Sequence, residues 1–192
     1  MGCDIHCYIE HQTAPGEEWN RWCGFGGQIN PGRDYRLFGH LAGVRDSVEP
    51  LVPPRGLPAD LDYTTHEDAW YWINHDPAAQ DGDGQVCWET AQRYMQYGRE
   101  TKGSYVPGTI TRHIDGVPQE PFVQFHEAAG RPTHVSHPDW HTHSWLSTGE
   151  LEEVFRRCYP DDADIRWGAI LAAMKHFESH GYPARLVFWF DN

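Results

Sequence analysis

Cys3-Asp4-Ile5-His6-Cys7-Tyr8-Ile9-Glu10 alternates strictly between two classes of side chain. Successive side chains of an extended chain point to opposite sides, so Cys3, Ile5, Cys7 and Ile9 share one face and Asp4, His6, Tyr8 and Glu10 the other. This spacing predicts a strand with one buried face and one polar face. The far end of the chain supplies a companion. Ala184-Arg185-Leu186-Val187-Phe188-Trp189-Phe190 is almost continuously apolar. A strand of that kind wants both faces covered, which places it at the centre of a sheet. Laid antiparallel beside the first strand, it brings Asp191 next to Asp4.

Helical patterns lie between these ends. Leu37, Phe38, Leu41 and Val44 recur at helical spacing and predict a helix from Tyr35 to Asp46, with Asp34 as its cap. A second helix is expected from about Gln85 to Tyr97. Ser147-Thr148-Gly149-Glu150 has the form of a capping box and opens a helix through about Tyr159. Trp167, Ile170, Leu171, Met174 and Phe177 form the apolar stripe of another, Asp162 to His180, which Gly181 is placed to end.

The remaining segments read as less regular. Residues 14–34 suggest a loop or short hairpin, and Val117 to His126 a strand or hairpin. Val52-Pro53-Pro54-Arg55-Gly56-Leu57-Pro58 lacks three backbone donors and cannot be regular structure. Residues 60–138, with Asp60, Asp62, His66, Asp68, His75, Asp76, Asp81 and Asp83, read as a loop-rich insertion that is acidic at its start. The expected fold class is α+β: a central mixed or antiparallel sheet holding both terminal strands, flanked by about three helices, in a single domain over 1–192.

Composition narrows the function. The chain carries 28 acidic and 15 basic residues, a net charge of −13. That field repels phosphate backbones and argues against duplex nucleic acid as a partner. No apolar stretch approaches the roughly 18 residues of a membrane span. The chain opens on a strand-like segment and not on a basic region followed by an apolar run. Its five scattered cysteines are an odd number, so a reducing, cytoplasmic compartment is expected.

The opening Met1-Gly2-Cys3-Asp4-Ile5-His6, with Tyr8 and Glu10, resembles a group of phage and bacterial proteins that begin with the same string. The resemblance continues through Leu37-Phe38-Gly39-His40-Leu41-Ala42-Gly43-Val44-Arg45, Pro54-Arg55-Gly56-Leu57-Pro58, His141-Thr142-His143-Ser144-Trp145-Leu146 and Phe188-Trp189-Phe190-Asp191. It implies a phage or prophage origin, with the cytoplasm of a host bacterium as the place of action, and carries no activity with it.

The polar face of the first strand is the candidate site. Asp4 and His6 project to one side about 7 Å apart, and an Asp-x-His pair on a strand is one way metal-dependent hydrolases begin a metal centre. With Asp191 alongside and His141 delivered by a loop, two carboxylates and two imidazoles suit Zn²⁺, Mn²⁺ or a similar divalent ion. His143 and His40 are further candidates. Without a metal the same groups form an acid–base pair, a histidine oriented by an aspartate. They serve equally as hydrogen-bonding groups for loop backbones. Arg45 and Arg55 are placed to neutralise an anionic substrate. The leading expectation is a metal-assisted hydrolase of a small phosphorylated or nucleotide-like molecule. In it Asp4, His6, Asp191 and His141 hold the ion, and His141 or His143 moves the proton. The rival is a non-enzymatic phage protein that binds and blocks a host protein or sequesters a small signalling molecule. A structural phage component is the third possibility.

Overall fold

The computed structural model describes residues 2–22, 28–46, 48–100, 104–106, 109–114, 117–128, 130–159 and 164–191, with the backbone alone over 96–127. In chain order the elements are β1 (Asp4–Gln12), β2 (Trp19–Arg21), α1 (Tyr35–Ala42), α2 (Tyr63–Ala69), β3 (Tyr71–Asn74), β4 (Gln85–Cys87), α3 (Trp88–Glu100), β5 (Ser104–Val106), β6 (Thr109–Ile114), β7 (Val117–Ala128), β8 (Arg131–Val135), β9 (His141–Ser147), α4 (Thr148–Cys158), α5 (Ile165–Ser179) and β10 (Ala184–Asp191). The fold is α+β. It divides into two compact units, Met1–Thr65 with Thr142–Asn192, and His66–His141.

The first unit is built on a four-stranded sheet in the order β2-β1-β10-β9. β1 and β10 run antiparallel from Asp4↔Asp191 to His11↔Ala184, so the two ends of the chain lie side by side as their patterns predict. Cys3, Ile5, Cys7 and Ile9 of the β1 segment join Leu186, Phe188 and Phe190 of β10 on one face of the sheet. Leu37, Phe38 and Leu41 of α1, Leu151, Val154 and Phe155 of α4, and Trp167, Ile170 and Met174 of α5 complete this core. Each fully buried large side chain contributes about 1.5–3 kcal/mol of transfer free energy, which identifies this packed face as the main source of the unit's stability.

Local signals set the helix ends. The Asp34 carboxylate accepts the Leu37 N–H at 3.0 Å and starts α1. The helix ends at Ala42 and not at Asp46, because Gly43 takes up φ 71° as a left-handed cap and Arg45 follows at φ 62°. Ser147 and Glu150 form a reciprocal capping box at α4. Asp164 caps α5 by accepting the Arg166 N–H at 2.9 Å; residues 160–163, on which the expected start at Asp162 falls, lie outside the described ones.

In the second unit a six-stranded sheet runs β4-β3-β8-β7-β6-β5. β3 and β4 are parallel and the other pairs antiparallel. Ile73, Val86, Ala91, Met95 and Val135 form a small core here. Much of the span expected to be loop is therefore strand. Several of its strands are only three to six residues long, too short for a period-two pattern to stand out from neighbouring turns. α3 begins at Trp88, three residues later than expected. Gln85–Cys87 pair with Trp72–Asn74, while the Asp81 carboxylate accepts the Cys87 N–H at 2.9 Å and the Thr90 hydroxyl at 2.8 Å. Among the described residues no helix is long and apolar enough to cross a membrane.

Candidate functional site

The second face of β1 and β10 changes character along its length. At one end Glu10 and Arg185 face each other in the register. Arg185 Nε and Nη2 lie 2.8 and 2.7 Å from Glu10 Oε2, with both side chains essentially inaccessible to water. Nη1 reaches Asp60 Oδ1 at 2.7 Å, and the guanidinium stacks over Trp19. The face expected to be simply polar is thus buried at this end, because a long cationic side chain neutralises it and an aromatic ring covers it. Burial lifts the Glu10 carboxyl above its ordinary range; Arg185, Thr65 and the Asp62 amide offset this only in part.

Moving along the face, Trp189 lies flat between three neighbours. His6 stacks on it at 5.4 Å with 8° between planes, Tyr8 at 5.3 Å, and His143 at 5.8 Å. The order β1-β10-β9 accounts for this ladder: Trp189 is opposite His6 on one side and β9 supplies His143 from the other.

At the open end stand Asp4, His6 and Asp191. His6 Nε2 lies 3.0 Å from Asp191 Oδ2, with the two side chains 19% and 33% exposed. The Asp4 N–H donates to Asp191 Oδ1 at 3.2 Å. The His6 ring is consequently fixed twice, in its plane by Trp189 and in its rotation by Asp191. The Asp4 carboxylate turns instead to Arg33, which donates from Nε at 2.5 Å and from Nη2 at 2.7 Å. This paired guanidinium, with His6 adding to it, holds the Asp4 carboxyl below its usual range.

Arg33 is the site residue that sequence reasoning missed. Its guanidinium packs closely over Gly2, where an added Cβ would push the exposed end of this flexible side chain aside. A second cation stands nearby: Arg45 Nη2 donates to the Gly2 carbonyl at 3.5 Å. Burial raises the Cys3 thiol, and Arg45 offsets part of the rise. Cys3 has no exposed surface and is core.

The other predicted residues are placed differently. Arg55 Nε and Nη2 donate to the Trp145 carbonyl at 3.0 and 2.7 Å, Nη1 and Nη2 bind Glu150 at 3.2 and 2.6 Å, and the guanidinium lies 3.5 Å over the Trp145 ring. Its charge thus holds the capping box of α4. His40 is half-buried in the last turn of α1. His143 is buried against Trp189. His141 is half-buried, opening β9 and closing the second unit. Among the described residues no group of three or more His, Cys, Asp or Glu side chains is arranged to hold a metal ion.

No family model matches the chain, and no curated protein or solved structure is significantly similar to it.

Proposed function

We propose that the open end of β1 and β10 is an acid–base hydrolytic site for a small phosphorylated or nucleotide-like molecule. The observation that carries this reading is the doubly fixed imidazole of His6, stacked on Trp189 and joined to Asp191 Oδ2 at 3.0 Å. Histidine is the side chain that exchanges protons near neutral pH, and an aspartate on one ring nitrogen fixes the tautomer and orientation of the other. With its ring oriented by Asp191 and Trp189, the His6 imidazole is the group that takes the proton of an attacking water. The water oxygen bonds to phosphorus, the phosphorus–leaving-group bond breaks, and the proton passes from the imidazole to the leaving oxygen.

Arg33 supplies the anion contact. Its ion pair with Asp4 is half-exposed on both sides, so a phosphate is able to compete for the guanidinium in the bidentate manner arginine favours. Arg45 adds positive charge at the same end of β1, in a chain whose net charge otherwise repels polyanions.

A metal-assisted version keeps one specific support. Asp4 and Asp191 are register partners, with His6 next on the same face, so an ion displacing Arg33 from Asp4 would meet two carboxylates and an imidazole. Zn²⁺ or Mn²⁺ there would lower the pKa of its bound water and supply hydroxide. The resemblance to phage and bacterial proteins fits a role in a host bacterium's cytoplasm.

The test is hydrolysis of a panel of phosphomonoesters, nucleotides and cyclic nucleotides, run in chelator and again with added Zn²⁺ or Mn²⁺. Turnover in chelator that falls about 10²–10⁴-fold in His6→Gln, the span of general acid–base catalysis, supports the acid–base reading. Turnover that requires added metal and is lost in Asp4→Asn supports the metal version. No turnover under either condition removes both.

A further inference from the structure

Apart from this site, two histidines stand one helical turn apart where α5 ends. His176 is in the last turn and His180 is the C-cap. Their ring centroids are 4.6 Å apart with 53° between planes, so the rings converge without stacking. Both residues are exposed. The His176 ring has no hydrogen-bond or ion-pair partner among the described residues.

From this geometry we propose that His176 and His180 form a surface clamp for a divalent transition-metal ion of the imidazole-preferring kind, Zn²⁺, Cu²⁺ or Ni²⁺. Histidines at i and i+4 share one face of a helix and bind a single ion in known metal motifs. A metal about 2.1 Å from each ligating nitrogen lies about 3.2 Å from each ring centre. Two imidazoles subtending roughly 90–110° at the ion then have centres about 4.5–5.2 Å apart. The observed 4.6 Å falls inside that window.

The hydrogen bonds at the cap settle which nitrogen is presented. His180 Nδ1 lies 2.9 Å from the His176 carbonyl oxygen. A carbonyl oxygen only accepts, so Nδ1 carries the hydrogen and Nε2 keeps its lone pair. This is the arrangement in which a ligating histidine donates its other N–H to a backbone carbonyl, fixing tautomer and ring orientation. The Ser179 hydroxyl donates to the same carbonyl at 2.7 Å, completing the cap. A cation here also meets the negative end of the α5 dipole, on a protein of net charge −13. Two protein ligands leave the rest of the sphere to water, so the site is open and exchangeable.

The experiment is titration of wild-type protein, His176→Ala and His180→Ala with Cu²⁺, read by electron paramagnetic resonance, and with Zn²⁺, read by calorimetry and thermal melting. Both substituted side chains are exposed, so the variants should keep the wild-type circular dichroism. The expected result is a high-affinity ion with two imidazole nitrogens on Cu²⁺ in wild type. Each variant should lose the two-nitrogen Cu²⁺ signal, bind that ion at least tenfold more weakly, and lose the Zn²⁺-induced rise in melting temperature. Identical stoichiometry, affinity and spectra in all three proteins would place the bound metal on other histidines and overturn the clamp. The readout uses no substrate, so it stands or falls independently of the hydrolytic site.

Discussion

His6 and Asp191, 185 residues apart in sequence, are joined by a 3.0 Å contact between Nε2 and Oδ2. The β1/β10 register makes the contact possible. His6 is directly opposite Trp189 and Asp4 opposite Asp191, so His6 and Asp191 are diagonal neighbours on one face, within reach of long side chains. A slip of one residue would send one of them to the core face. The apolar face that fixes the register therefore also fixes the dyad.

The buried pair at the other end of this face is a stability element. Replacing Arg185 by Met leaves Glu10 buried without its cation and should cost about 3–5 kcal/mol in denaturant unfolding. The double variant Glu10→Gln with Arg185→Met should recover much of that loss, a coupling that a double-mutant cycle measures. The pH dependence has a definite sign. Burial raises the folded-state pKa of Glu10, and losing Arg185 raises it further. A group with a raised folded pKa contributes stability that is present below its unfolded value and lost as pH rises through the folded one. The deficit of Arg185→Met should therefore shrink on going from pH 7 toward pH 5.

The parts of this face differ in how far the sequence discloses them. β1 and β10 were readable because their patterns are long: one alternates strictly and the other is apolar on both faces. The cap of α1 and the capping box of α4 were readable because the groups involved are three residues apart. Arg33 was not, since its partner Asp4 lies 29 residues away and nothing local in the turn Asn30-Pro31-Gly32 marks it. A hint was present in Asp34 as the cap of α1, since Arg33 is the residue just before that cap. Arg55 was readable as a cation in a rigid loop, but its partner depends on α4 being 95 residues downstream. The short strands β3 to β6 were hidden because each is stabilised by pairing with distant segments and not by a pattern of its own.

The capping box of α4 should make part of the protein's stability sensitive to acid. Burial alone would raise the Glu150 carboxyl, but Arg55 and the Ser147 amide and hydroxyl together hold it below its ordinary range. The stability this contributes is present above the unfolded value, about 4.3, and is lost as pH falls through the lower folded one. Ser147→Ala should cost about 1 kcal/mol at neutral pH, as loss of a helix cap does. Glu150→Gln should flatten the decline in unfolding free energy between about pH 4.3 and 3, the range below that unfolded value. Urea denaturation across this range checks both.

The thiols should fall into two reactivity classes. Cys3, Cys7 and Cys158 are fully buried, whereas Cys87 is partly exposed. Burial pushes the Cys7 thiol far up and raises Cys3 and Cys158 as well, so little reactive thiolate forms at any of the three. In a Cys23→Ser background, a chromogenic disulfide reagent at pH 8 should label Cys87 rapidly and the other three only on unfolding. Fast labelling of Cys7 in the folded protein would contradict its place in the core.

The most direct test of the His6–Asp191 dyad is turnover of a responsive phosphorylated substrate by wild type, His6→Gln and Asp191→Asn, followed against pH in chelator. The dyad predicts losses of about 10²-fold or more in both variants with unchanged near-ultraviolet circular dichroism. Variants that keep wild-type turnover, or a wild type inert toward every substrate in the panel, would contradict it.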